Sequence, residues 1–174
     1  AGGDPLLHPD IVEIIRMVVR DGHKPILNTN GVALTRGLLE DLKRAGLVGL
    51  TFHVDSHQGR AGQWRKKGEL ELNALRLEYA QLVASVGGLS CAFNATIYED
   101  TAQFVPDLVQ FAADHIDIIH SVIFIMYRAA ITEGDFDFFS DGKPVKATPL
   151  VYAVDEATQR TDISAPELVG VIQQ

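Results

Sequence analysis

Apolar and polar positions along the chain switch repeatedly between two periods. Over Pro9–Asp21, Ile11, Val12, Ile14, Ile15, Val18 and Val19 form a helical stripe, with Pro9 in the first turn and Gly22 past the end. Pro25-Ile26-Leu27 then reads as a short strand leading into the turn Asn28-Thr29-Asn30-Gly31. Thr35 caps a second predicted helix carrying Leu38, Leu39, Leu42 and Ala45, which Gly46 stops. VGLTFHVDS, residues 48–56, is a strand, and the polar loop SHQGRAGQWRKKGE follows it. A third helix runs from about Leu70 to Val86, with Leu72, Leu75, Tyr79, Leu82, Val83 and Val86 on one side. LSCAFNATI, residues 89–97, is the next strand. Thr101–His115 is helical, with Pro106 limiting how early it becomes regular, and Ile118–Tyr127 is a fourth strand. Strands alternating with single helices predict parallel βαβ units, either an open doubly wound sheet or a (β/α) barrel. From Ala129 to Asp162 the alternation stops, and aromatic and β-branched runs around Asp141-Gly142 predict a hairpin-like insertion. Ser164-Ala165-Pro166-Glu167 opens a capped helix that ends after about two turns, so the C-terminus is expected to be cut.

The polar residues inside these strands carry the chemistry. An all-parallel sheet covered on both sides has strands that are apolar throughout. Here Thr51, His53 and Asp55 alternate with Leu50, Phe52 and Val54. Asn94 and Thr96 alternate with Phe93, Ala95 and Ile97, and Asn28 shares a face with Asn30. Three successive strands therefore place polar groups on one face at their carboxyl ends, where parallel α/β folds bind ligands. Asn30-Gly31 taken alone reads as a turn, and Thr51 alone as a satisfied backbone neighbour. The set across three strands reads as a polar pocket, because desolvating His53, Asp55 and Asn94 together is costly without partners.

Composition narrows the class. The 174 residues suit one domain with a real core, and the net charge of −8 argues against nucleic acid or an anionic membrane as the main partner. No apolar run is long enough to span a bilayer. The single cysteine, Cys91, excludes an internal disulfide and a multi-cysteine metal site within the chain, and it points to a reducing, cytoplasmic setting. His53, Asp55 and His57 lie close in sequence, but contacts in a pocket explain them better than a metal site does, and no metal ligand is assigned. Ser56 lacks the nucleophile-elbow context of a hydrolase, and no Gly-x-Gly-x-x-Gly follows a strand. Arg60, Arg65, Lys66 and Lys67, with Trp64 beside them, form a basic cluster after a strand end. It reads first as a solvated surface and second as a grip on a substrate phosphate or carboxylate, with Arg128 a similar candidate.

The opening Gly2-Gly3-Asp4-Pro5 adds context. "GGDPLLHPDIVEIIRMV" and "PILNTNGVAL" resemble the second and third βα units of the radical S-adenosylmethionine (SAM) superfamily, in the branch with the molybdenum-cofactor cyclase and the peptide-modifying enzymes. The resemblance covers about residues 1–128 and implies an α/β fold, a partial parallel (β/α) TIM-like barrel of the radical SAM type. Residues 129–174 would be an insertion or truncated extension of the same domain. In the family, a Gly-Gly-Glu strand end holds the SAM amino group. That role maps here to Gly2, Gly3 and Asp4, whose side chain is one methylene shorter. The resemblance implies further SAM contacts from Asn28 or Asn30, His53 and Asn94, and an adenine contact from Tyr127. The family's Cys-x3-Cys-x2-Cys loop, which holds a [4Fe–4S] cluster, precedes Gly-Gly-Glu and has no counterpart here. The chain is thus expected to be a piece of a longer parent and inactive alone, with the cluster ligands outside it. The parent would form a 5′-deoxyadenosyl radical and take hydrogen from a small-molecule or peptide substrate, with electrons from a reductant protein. The other function considered is a non-catalytic small-molecule or nucleotide-binding α/β domain.

Overall fold

A computed structural model describes residues 3–127, 138–145 and 163–173. Four parallel strands form one sheet in sequential order: β1 (Ile26–Thr29), β2 (Gly49–His53), β3 (Ser90–Ile97) and β4 (Ser121–Met126). Helices α1 (Ile11–Arg20), α2 (Arg36–Ala45), α3 (Asn73–Val86) and α4 (Val105–Asp114) alternate with them. The sequence-based elements are all present, with shifted ends. Helix α1 begins at Ile11 rather than Pro9, because Pro9 and Asp10 complete a turn ahead of it. Its buried seam is only Ile11 and Ile15; Ile14 and Val19 of the expected stripe are exposed. Pro106 sits in the first turn of α4, where its missing N–H costs nothing. Thr35 and Gly46 cap α2 as expected: the Thr35 hydroxyl accepts from Leu38 N, and Gly46 takes the left-handed conformation with φ 106°.

Strand β2 ends at His53, earlier than the expected Ser56, since the chain turns into a loop that Asp55 organises. Strand β1 extends through Thr29, beyond the expected Leu27. The register pairs Asn28 with Thr51, Thr51 with Ala92, and His53 with Asn94.

The two sheet faces differ. Leu27, Leu50, Phe52, Cys91, Phe93 and Ile97 are buried on the face that packs against the helices. Residues on the other face include exposed Ile26, Asn28, Ser90, Ile123 and Ile125. A doubly wound sheet carries helices on both faces, whereas a barrel segment carries them outside only. This chain has the parallel α/β architecture of a partial β/α barrel, and the uncovered face corresponds to the barrel interior.

The expected hairpin is present among the described residues. β5 (Phe138–Ser140) pairs antiparallel with β6 (Lys143–Val145). Asp141 and Gly142 between them both have positive φ, 51° and 74°, the geometry of a type I′ turn. Helix α5 (Ala165–Ile172) starts with a capping box formed by Ser164 and Glu167, and its Leu168 packs in a cluster with Ala95, Ile97 and Val105. Arg128 lies outside the described residues, as does Gly2.

Candidate functional site

The carboxyl ends of β1, β2 and β3 gather most of the residues singled out in the sequence. Asp4 stands at the start of a short turn, Pro5–Leu7, and its carboxylate is tied to the end of β1. It accepts from Leu6 N at 3.0 Å, from the Thr29 hydroxyl at 2.8 Å and from Asn30 N at 2.7 Å. Asp4 thereby fixes the Pro5–Leu7 turn to the sheet, and most of its acceptor capacity is already used. Gly3 needs its glycine for φ 58°, and the space where a Cβ would stand is open.

Asn30 turns its side chain back on its own loop, where Oδ1 accepts from Val32 N at 2.9 Å. Gly31 completes that turn with φ +77°, and a Cβ there would lie 2.6 Å from the Tyr79 ring. The Asn30 side chain and the Gly31 backbone are thus accounted for by the turn. Asn28 instead lies on the open face, and Asn94 Nδ2 donates to its Oδ1 at 3.3 Å. This amide pair reaches from β1 to β3 across Thr51. Asn94 is only 5% exposed, and its own Oδ1 is buried without a hydrogen-bond partner. A buried acceptor with no donor costs about 1–3 kcal/mol, a cost that a donor reaching it from a bound molecule would recover.

Beside it, His53 Nε2 lies 2.7 Å from Asp55 Oδ2. Asp55 is buried just beyond β2 and also accepts from the backbone N–H groups of His57, Gln58 and Thr96. Burial on its own would raise the Asp55 pKa. The bond and charge of His53, with the Thr96 and His57 N–H groups, outweigh it and hold the carboxyl below its ordinary 3.8. Asp55 was read as a member of the alternating strand face; it is instead a buried support beneath it. His57 faces Asp100 at 3.2 Å and stacks on Tyr98, with ring centroids 3.9 Å apart. Tyr98 in turn packs on Tyr127, at 4.8 Å, so Tyr127 belongs to an aromatic row at the ends of β3 and β4.

The basic cluster divides. Lys67 pairs with Glu71 on the surface, and Arg65 and Lys66 are exposed. Arg60 folds inward, donating to His53 O at 2.7 Å, to Asn30 O at 3.3 Å and to Gln58 Oε1 at 2.8 Å. It therefore stitches the ends of β1 and β2. Trp64 packs against the core.

Three structural residues escaped the sequence reading. Thr29 is buried under Asp4. Glu69 and Arg76 form a buried ion pair, and Arg76 also donates to Val54 O at 2.7 Å while Glu69 accepts from Ser56 N at 2.8 Å. The pair pins the loop after β2 onto α3. Its signal was a Glu and an Arg seven residues apart on the apolar side of a predicted helix start.

An iron–sulfur cluster does not fit the residues of this chain. Cys91 is on the helix-covered face of β3, with its thiol pushed up to about 12 by burial. Among the described residues no group of three His, Cys, Asp or Glu side chains is arranged to hold a metal. On the other sheet face, the unpartnered Asn94 Oδ1 is an acceptor that a donor group of a bound molecule would satisfy. No helix among the described residues is long and apolar enough to cross a membrane.

Comparison with known proteins finds a family match and several relatives. Residues 1–82 match the sequence model of the Radical SAM superfamily. A PqqA peptide cyclase from Methylobacterium nodulans is 33% identical over 126 residues, covering 70% of this chain and 32% of that protein. An AdoMet-dependent heme synthase from Methanosarcina barkeri is 40% identical over 55 residues, 32% of this chain and 16% of that protein. The human Molybdenum cofactor biosynthesis protein 1 is 40% identical over 57 residues, 32% of this chain and 9% of that protein. The chain thus spans about a third of the length of the cyclase it matches. With its matching motif, its parallel half-sheet and these relatives, the chain resembles the radical SAM superfamily.

Proposed function

We propose that this chain forms the SAM-binding part of a radical SAM enzyme that acts on a peptide or small-molecule substrate. SAM, with a reduced [4Fe–4S] cluster held by residues outside this chain, supplies hydrogen-atom abstraction when bound. The chain's own residues bind and orient. The amino end of SAM is assigned to the Gly2-Gly3-Asp4 motif, in which the Asp4 carboxylate bonds to Thr29 and Asn30. Asn28, Asn94 and His53 offer polar contacts on the open face, Asn30 shapes the adjoining turn, and Tyr127 closes the β4 end. The observation that carries the reading is the buried, unpartnered Asn94 Oδ1 at the ligand end of the sheet. The peptide substrate is suggested by relatives named PqqA peptide cyclase. A protein reductant would supply the electron.

The test uses the longer parent protein, reconstituted with iron and sulfide under anaerobic conditions. SAM and dithionite are added and 5′-deoxyadenosine is measured by mass spectrometry. Its formation, with SAM affinity weakened about 3–10-fold by Asn94→Ala, supports the reading. A parent that forms no cluster and binds no SAM removes it and favours a non-catalytic binding domain.

A further inference from the structure

We propose that His53 and Asp55 form a proton-accepting dyad on the open sheet face, in which Asp55 holds the imidazole so that Nδ1 takes a proton from an O–H or N–H of the molecule bound there. The inference rests on the preceding reading only in requiring that a ligand occupies this face.

The geometry fixes where the proton sits. Asp55 Oδ1 accepts from His57 N at 3.1 Å and Gln58 N at 3.0 Å, and Oδ2 accepts from Thr96 N at 3.2 Å. Three backbone donors hold the carboxylate in place. An ionised carboxylate only accepts, so the proton of the 2.7 Å contact with His53 belongs to Nε2. The Thr96 hydroxyl is a further neighbour of Nε2, at 3.3 Å. In the neutral ring Nδ1 is then the nitrogen with the lone pair, and it has no hydrogen-bond partner among the described residues. The His53 side chain is 31% exposed, while that of Asp55 is 3% exposed. One member is open to a ligand and the other is shielded from water. Such a carboxylate fixes the tautomer of its imidazole and stabilises the imidazolium that forms.

The step needs no further reagent. The ligand's O–H or N–H bond breaks, its electron pair stays on oxygen or nitrogen, and the proton moves to Nδ1. The imidazolium charge is met by the Asp55 carboxylate already in contact. The groups that face His53 favour this arrangement. From β3 they are Asn94 and Thr96, both uncharged. Arg60, from the following loop, brings a positive charge but directs it to the His53 carbonyl. Asn94 is the register partner of His53 on a strand about 4.8 Å away. Its unpartnered Oδ1 is placed to accept a second hydrogen from the same ligand. The class of ligand group is accordingly one with donor hydrogens, such as an alcohol, phenol, amide or amine.

The experiment labels the histidines of the full-length protein with 15N and records long-range ring-nitrogen spectra over about pH 5–8, where imidazoles titrate. His53→Gln assigns the signal. The expected result is a proton on Nε2 with Nδ1 bare at the upper end. A downfield Nε2–H resonance reports the bond to Asp55. Asp55→Asn is expected to abolish that resonance and move the proton to Nδ1 in a large share of molecules. A wild-type ring carrying its proton on Nδ1 overturns the proposal, whatever the variant does. So does an unchanged tautomer in a folded Asp55→Asn protein. Neither spectrum involves SAM cleavage, so a failed 5′-deoxyadenosine assay would count against the radical reading and leave this result standing.

Discussion

The two faces of one sheet follow different rules. On the covered face Phe52 is fully buried, stacks on Tyr79 with centroids 4.7 Å apart, and packs against Phe93 at 5.7 Å. Burial of that kind drives folding. One residue away in the chain, Thr51 and His53 point to the other face, where Asn28 and Ile26 are exposed. There Thr51, His53 and Thr96 are only half-buried, and the buried Asn94 Oδ1 has no partner. The helix side holds the strands in place; the open side displays chemistry on them. Alternation with period two lets a strand do both.

Mutations should separate the faces. Phe52→Ala is expected to cost about 3–5 kcal/mol, seen as a lower denaturant midpoint. Glu69→Ala leaves Arg76 buried without its carboxylate, and about 3–5 kcal/mol should also be lost. Hydrogen exchange would show the loop after β2 opening first in that variant. A smaller effect comes from acid. Because Asp55 has a folded pKa below its ordinary 3.8, its contribution to stability is present above that value and fades as pH falls below it. His53→Gln, which removes the main partner, should flatten that part of the stability-against-pH curve. Smallest is Asn28→Ala, expected to change stability by less than about 0.5 kcal/mol while weakening SAM binding. A large loss of stability from Asn28→Ala would erase the distinction between the faces.

Much of the architecture was legible because periodicity reports burial. The four strands, the four helices that alternate with them, the Asp141-Gly142 hairpin and the Ser164 cap all followed from local patterns. Strand ends were less legible. The exit of β2 at His53 is set by Asp55 bonding to N–H groups of its own loop and of β3, a contact between distant residues. The polar face of β1, β2 and β3 was visible as alternation. What alternation hid was which polar residues serve the structure: Thr29 beneath Asp4, Asp55 beneath His53, and the Glu69–Arg76 pair. Buried polar groups are chosen by their partners, and partners far apart in sequence leave no periodic mark. The same limit applies to the basic cluster, where only Arg60 turned inward, toward two backbone carbonyls on different strands.

The sequential order β1-β2-β3-β4 has a further consequence, for how the chain acquires its shape. Every strand pairs with the one before it, so each pairing closes over a single helical crossover. No strand has to wait for a later one to be inserted beside it. Contacts of this range are slower to form than a hairpin, yet each is paid for one unit at a time. A ribosome adding about 5–20 residues per second gives each unit seconds in which to dock on its predecessor. Assembly can then proceed in the direction of synthesis, with the sheet lengthening by one strand as each new helix emerges.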